Sequence, residues 1–296
     1  MNIINSIKHT FKQGNALSRL IMINLAIFTT LKLVVILLTL FNNSGEYIVS
    51  FLAVPAYVPS LLHRVWTPIT YMFLHEGFMH ILFNMLNLFW FGKLFIMYFS
   101  EKQLVGLYLL GGLFGAAFYI AAFNIFPHYA PLLHQSLLLG ASASIMAIIV
   151  ATAVRSPNME MQLLFLGNIK LKYIAAVIVL MSFFGITSDN GGGQLAHLGG
   201  ALAGYLFVVS LQQGADLTKG INWLLDAVYD LFRPRKLKIK PNKTRKTGPM
   251  SDAEYNANKA RKMAQIDHIL DKIKTSGYES LNADEKKQLF DQGKKN

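Results

Sequence analysis

The stretch Gln194-Leu195-Ala196-His197-Leu198-Gly199-Gly200-Ala201-Leu202-Ala203-Gly204 places an imidazole in an apolar segment and follows it with glycines. On a helix, positions 200 and 204 share a face, and a face of such small residues lets a second backbone approach closely. A complementary surface lies well upstream in Gly140-Ala141-Ser142-Ala143-Ser144, where a hydroxyl is flanked by tiny residues. Whether these two surfaces meet decides the fold and its chemistry. A serine hydroxyl is a weak nucleophile until a neighbouring base takes its proton, which requires a hydrogen bond of about 2.6–3.2 Å. Ser142 is the candidate nucleophile and His197 the candidate base. Ser144 competes for the first role, but it lies about 200° further round a helix, so the two serines cannot both face one imidazole. Alone, either residue reads more simply as a packing serine or a buried histidine. Their pairing, with glycines alongside, favours chemistry.

The chain has 296 residues, of which 53% are hydrophobic and only 15% charged, against about 25% charged in soluble domains. The deficit comes from apolar runs of bilayer-spanning length, roughly 17–25 residues. Six spans are read: Leu20–Phe41, Met79–Phe99, Leu104–Phe123, Ala141–Val154, Leu171–Ile186 and Gln194–Leu211. The first is too long for a signal-peptide core and lacks a small-residue cleavage site, so it is expected to be retained. The fourth is short, which predicts that it starts below the surface, the chain before it dipping into protein-lined surroundings. Without cysteine there are no disulfides or thiolate metal sites. The net charge of +12 is not read as a nucleic-acid footprint, because most basic residues lie after Gln213, outside the apolar body.

Lys and Arg collect before the first span, beside the connections after the second and fourth, and in the tail, while the third and fifth connections have none. Both termini are therefore expected in the cytoplasm, with Ser142 and His197 towards the outer side of a multi-pass protein in a bacterial cytoplasmic membrane. The first outer connection, Asn42–Gly77, carries Tyr47, Phe51, Tyr57, Trp66 and Tyr71. Aromatics suit the headgroup layer, so short interfacial helices are expected there. Lys32, near the middle of the first span, reads as a functional charge or, more simply, as a snorkelling or bend residue.

Beyond the sixth span, Ile221 to Phe232 is amphipathic and stops before Pro234, which suits the inner membrane surface. Arg233 to Lys246 is a basic linker suited to anionic lipid headgroups. The tail reads as two short helices, with Ile266, Ile269, Leu270 and Ile273 at helical spacing and Asn282 with Glu285 as a capping box. The resulting division is 1–19, an N-terminal segment; 20–212, the six-span core; 213–247, an interfacial helix and linker; and 248–296, a small cytoplasmic helical hairpin.

The second span adds His80 and Asn84, four apart and hence on one helix face, both able to donate hydrogen bonds. Acyl transfer develops an oxyanion, and one donor held in a water-poor site is worth about 10²–10³ in rate. The backbone N–H of Ser142 is a third candidate donor, and interhelical hydrogen bonding is the simpler use for the two side chains. His75 and His80 are about 140° apart on a helix, and no His-Glu-x-x-His or paired acid lies in a span, so no metal or cofactor is expected.

With these residues together, the chain resembles the rhomboid family of intramembrane serine proteases. The resemblance runs from the first to the sixth span and is strongest in Trp66–Gly92, Gly140–Met146 and Ala196–Gly204. Tyr71 to Met85 is similar to the family's second-span signature, Gly140 and Ser142 to its Gly-x-Ser, and His197 and Gly200 to its His-x-x-Gly. It implies an all-α membrane protein with a six-transmembrane-helix rhomboid-like bundle. It further implies a Ser142/His197 dyad without a third acid and an oxyanion site at His80 and Asn84. Gly140, Gly200 and Gly204 are expected to pack the helices at that site. The implied partners are transmembrane protein substrates, cut near the outer membrane face. The chain departs from the family pattern at Ala143, where glycine is usual, at Met146, where an aromatic is frequent, and at Arg64-Val65-Trp66, where Trp and Arg are usually adjacent. The alternatives are an inactive relative that binds membrane clients and, less favoured, a transporter, for which the spans carry too few acids and no clear repeat.

Overall fold

The computed structural model describes residues 14–163, 167–232 and 251–293. The chain divides into two compact units, Met1–Arg233 and Pro234–Asn296. In the first, helix α1 (Ala16–Leu40) begins at Asn15, whose side chain accepts the Ser18 N–H as an N-cap. Three short helices follow, α2 (Glu46–Leu52), α3 (Val58–Leu62) and α4 (Thr67–Thr70), so the aromatic connection is helical, as its composition suggested. Next come α5 (Phe78–Phe95), α6 (Glu101–Ile125), α7 (Ser142–Arg155), α8 (Leu171–Phe184), α9 (Gly191–Gln212) and α10 (Lys219–Phe232). A reciprocal capping box between Ser100 and Gln103 opens α6. All six apolar runs are helices whose ends fall within a few residues of those read from the sequence.

Among the described residues, α1, α5, α6 and α9 are long and apolar enough to cross a membrane, while α7 and α8 are shorter apolar helices. The protein is mostly helical and membrane-embedded. At 14 residues each, α7 and α8 rise about 21 Å, less than the roughly 30 Å of a bilayer's hydrocarbon core. The short length of α7 has a structural cause. Ala143 through Ala153 are all buried, so the helix is a core element and has no lipid-facing stripe to extend. By contrast, α8 buries only Leu171, Ala175 and Ser182.

The core forms where α6, α7 and α9 meet almost backbone to backbone. A Cβ added at Gly200 would collide with the Ala143 carbonyl, and one at Gly204 with that of Ala147. On the other side of α7, a Cβ at Gly115 would lie 2.5 Å from the Ala143 methyl, and one at Gly111 2.5 Å from that of Ala147. The methyl of Ala143 is therefore accommodated by the missing side chain of Gly115. Tyr71 and Tyr108 are buried and donate to the carbonyls of Gly112 at 2.6 Å and Met72 at 2.9 Å.

Two short strand pairs supplement the all-α expectation. Val54–Pro55 (β1) pairs antiparallel with Leu137–Leu138 (β2), joining the 42–77 connection to the segment just before Ser142. Glu160–Leu163 (β3) pairs antiparallel with Gly167–Lys170 (β4). Strands this brief leave no readable alternation. The Lys32 ammonium donates to the Glu76 carbonyl at 2.5 Å.

Helix α10 docks on the start of α6. Gln103 Nε2 donates to Asp216 at 2.9 Å, Lys102 pairs with Asp226 at 2.7 Å, and Gly106 leaves room for Thr218. Trp223, Leu224, Val228 and Leu231 remain exposed, in keeping with an amphipathic helix. The basic stretch Arg233 to Lys246 lies outside the described residues.

In the second unit, α11 (Asp252–Ser276) is 25 residues long, not the short helix expected. Its start is set by a capping box between Ser251 and Glu254, upstream of the isoleucines from which the helix was read. Helix α12 (Ala283–Gly293) opens on the expected box: Asn282 N–H donates to Glu285 at 2.8 Å and Glu285 N–H to Asn282 at 2.9 Å. Lys272 of α11 reaches both Glu285 oxygens at 3.0 Å. Ile269 and Leu281 are the buried apolar residues among those described.

Candidate active site

Helix α7 starts at Ser142 because the chain before it cannot be helical. Gly140 has φ +126°, a conformation that favours glycine, and its N–H is held by the Tyr71 carbonyl at 2.9 Å. Ala141 is the N-cap and supplies no side-chain cap. The first-turn N–H groups of α7 therefore have no intrahelical acceptor, and they stand where the hydroxyl of Ser142 emerges.

A cavity of about 360 Å³ opens there, lined by Ser142, Ile145, Met146 and Ile149 of α7, Asn84 and Asn87 of α5, Ile178, Met181 and Ser182 of α8, and Gln194 and His197 of α9. Ser142, Ile145, Met146 and Ile149 follow the i, i+3, i+4, i+7 rule, so the cavity runs down one face of α7 from the serine. Ser144 is fully buried and does not line the cavity. Met146 lines the same cavity as His197.

His197 and Ser142 share this cavity because Gly200 and Gly204, one and two turns further along α9, rest on the carbonyls of Ala143 and Ala147. Among the described residues no hydrogen bond joins the Ser142 hydroxyl to the His197 ring. The ring's Nδ1 instead pairs with Ser182 Oγ at 3.2 Å, which leaves Nε2 for the cavity. Ser182 was not among the residues singled out in the sequence. Its signal was a lone small hydroxyl inside the otherwise apolar end of α8.

His80 does not line this cavity, but its ring lies beside Gly140. A Cβ at Gly140 would be 3.1 Å from both Cε1 and Nε2 of His80 and 3.7 Å from Ser142 Oγ. Gly140 thus serves close approach between the serine and α5, apart from the Gly200–Gly204 seam. Asn84 lines the cavity and donates to the His80 carbonyl at 2.9 Å; its amide carries a second N–H. In the 42–77 connection, Arg64 donates to the Ser50 carbonyl at 2.8 Å and Trp66 to that of Phe51 at 3.0 Å. The separated Arg and Trp thus both pin the loop, to adjacent residues of the last turn of α2.

Comparisons with known proteins agree with this architecture. The rhomboid domain family matches residues 62–213, more than half of the chain. The chain belongs to the rhomboid family. A second match, to a family of unknown function (DUF6576), covers residues 251–295, the greater part of the second unit. Among curated proteins, the chain is similar to RHOMBOID-like protein 12, mitochondrial, of Arabidopsis thaliana, 27% identical over 160 residues. That alignment covers 51% of this chain and 48% of the relative, so the chain spans about half the length of the curated relative it matches.

Proposed function

We propose that the protein is an intramembrane serine endopeptidase that cleaves transmembrane proteins near the outer membrane face. The observation that carries this reading is one cavity lined by both Ser142 and His197, inside an apolar body whose helices pack by glycine. In the reaction, His197 Nε2 takes the Ser142 proton as the oxygen attacks the scissile carbonyl, and returns it to the leaving amine. Water then repeats the sequence on the acyl-enzyme. The developing oxyanion is met by His80, Asn84 and the free N–H groups at the start of α7, a dipole end that favours negative charge. Hydrogen bonds of catalysis often tighten only with substrate bound, so an open Ser142–His197 pair fits a resting site. The substrate helix must unwind locally, since an intact helix engages its carbonyls.

The same reading takes α1 and α5–α9 as a six-span bundle with both termini in the cytoplasm of a bacterium, the second unit as a small cytoplasmic hairpin, and the basic linker as a contact for anionic lipid. The alternative, a rhomboid-like protein that binds membrane clients without cutting them, is favoured by one observation, the engagement of His197 by Ser182 in place of Ser142. Cleavage of a transmembrane reporter in proteoliposomes separates the two. Ser142→Ala and His197→Ala each abolish turnover and Ser144→Ala retains it. Full turnover by Ser142→Ala removes the nucleophile, and no turnover by the folded wild-type chain leaves the binding reading.

A further inference from the structure

Lys32 sits inside α1, ahead of the residues matched by the rhomboid domain. A charge there is costly, and such residues are retained where they have a partner and a task. Its ammonium donates to the Glu76 carbonyl at 2.5 Å, two residues before α5 begins. One turn earlier on the same face, the Phe28 ring meets the His75 ring edge-on, 6.5 Å between centroids. His75 is buried, and its ring in turn stands edge-on to His80 at 5.2 Å. The other side of His80 faces Gly140 and, beyond it, the Ser142 hydroxyl. No side chain caps the N-terminus of α5, so this short loop is what orients its first turn, which carries His80.

We infer that Lys32 is a positioning residue for His80: by holding the Glu76 carbonyl it fixes the loop whose His75 ring backs the oxyanion-side imidazole. Phe28 and Lys32 are four apart on one helix face, so α1 grips the loop at two points, one polar and one aromatic. The effect runs through contacts and does not need Lys32 to touch substrate. The inference rests on the proteolytic reading proposed above, and it extends the working site to a helix outside the matched domain.

The test is a kinetic double-mutant cycle on the full chain in proteoliposomes, with kcat and KM measured on a transmembrane reporter. Lys32→Met keeps the length of the side chain and loses the donor; it is expected to lower kcat roughly 10- to 100-fold, the scale of a small misplacement of a reacting group, with KM within about twofold. Lys32→Arg, which keeps a donor, restores most of that loss. Against His80→Ala, the Lys32→Met substitution has no further effect, because the group it positions is gone; a purely structural lysine would lower both backgrounds equally. Should Lys32→Met fail to insert or fold, His75→Leu is placed in the same cycle, where coupling to His80 is again required. Unchanged kcat in the folded Lys32→Met protein, or additive losses in the cycle, overturns the inference while Ser142→Ala is still inactive. Full turnover by Ser142→Ala instead sinks the proteolytic reading, and this inference with it.

Discussion

Where α7 meets α6 and α9, the contact is made by glycine and alanine; where α11 meets α12, a lysine reaches a glutamate that an asparagine caps. In the first region, Gly200, Gly204, Gly111 and Gly115 leave no volume between backbones. In the second, Lys272 and the Asn282–Glu285 box form hydrogen bonds at the surface. The difference follows from the surroundings. In lipid, apolar burial does not draw helices together, so close packing does the work. In water, caps and ion pairs can be added at little cost, and they contribute correspondingly little. The seam should therefore fail abruptly when an atom is added, and the tail should tolerate change.

The largest expected effect is at the seam. Gly204→Val sets branched carbons against the Ala147 carbonyl, so destabilisation should reach or exceed the top of the roughly 1–3 kcal/mol range for overpacked cores. Chemical unfolding in detergent reads it, and a midpoint equal to wild type would show that the helices can separate freely. Next is Ser182→Ala, which releases His197 Nδ1. With a hydrogen bond contributing about 0.5–1.5 kcal/mol, kcat should fall roughly two- to twelvefold while the unfolding midpoint stays close to wild type. A rise in kcat would mean that Ser182 holds the ring away from Ser142.

Smaller again is Asn282→Ala in the tail. Losing this cap should cost about 1 kcal/mol, seen as faster hydrogen exchange in α12 alone and unchanged exchange in α7. The weakest expected effect is of pH on the same turn. The Asn282 N–H and the Lys272 ammonium hold the Glu285 carboxyl below its ordinary value. A carboxylate depressed on folding stabilises above its unfolded pKa and loses that contribution as pH falls through the folded value. Exchange in α12 should therefore quicken slightly on acidification below the ordinary carboxylate range, and Glu285→Gln should remove the dependence.

The parts legible in the sequence were those whose signal is local. The ends of the apolar runs, the break at Gly140 and the Asn282–Glu285 box all lie within a few residues of the features that reveal them. Gly200 and Gly204 announced a close-packing face, but the surface that receives α7 on its other side was missed, although Gly111 and Gly115 repeat the same four-residue spacing. Ser182 was illegible for a different reason: a lone hydroxyl in an apolar helix has many uses, and its partner His197 belongs to the next helix. The acceptor of Lys32 was illegible because it is a backbone carbonyl in a distant loop, and carbonyls have no sequence signature. The length of α11 was underestimated because its polar first half shows no apolar period and only the Ser251–Glu254 box marks its start.

The most direct measurement is labelling of the full chain, in a bilayer, by a fluorophosphonate probe that reacts only with an activated serine. The account predicts modification at Ser142 in the wild-type protein, none in Ser142→Ala, and a near-complete loss in a folded His197→Ala protein. Labelling of His197→Ala at the wild-type rate would contradict it.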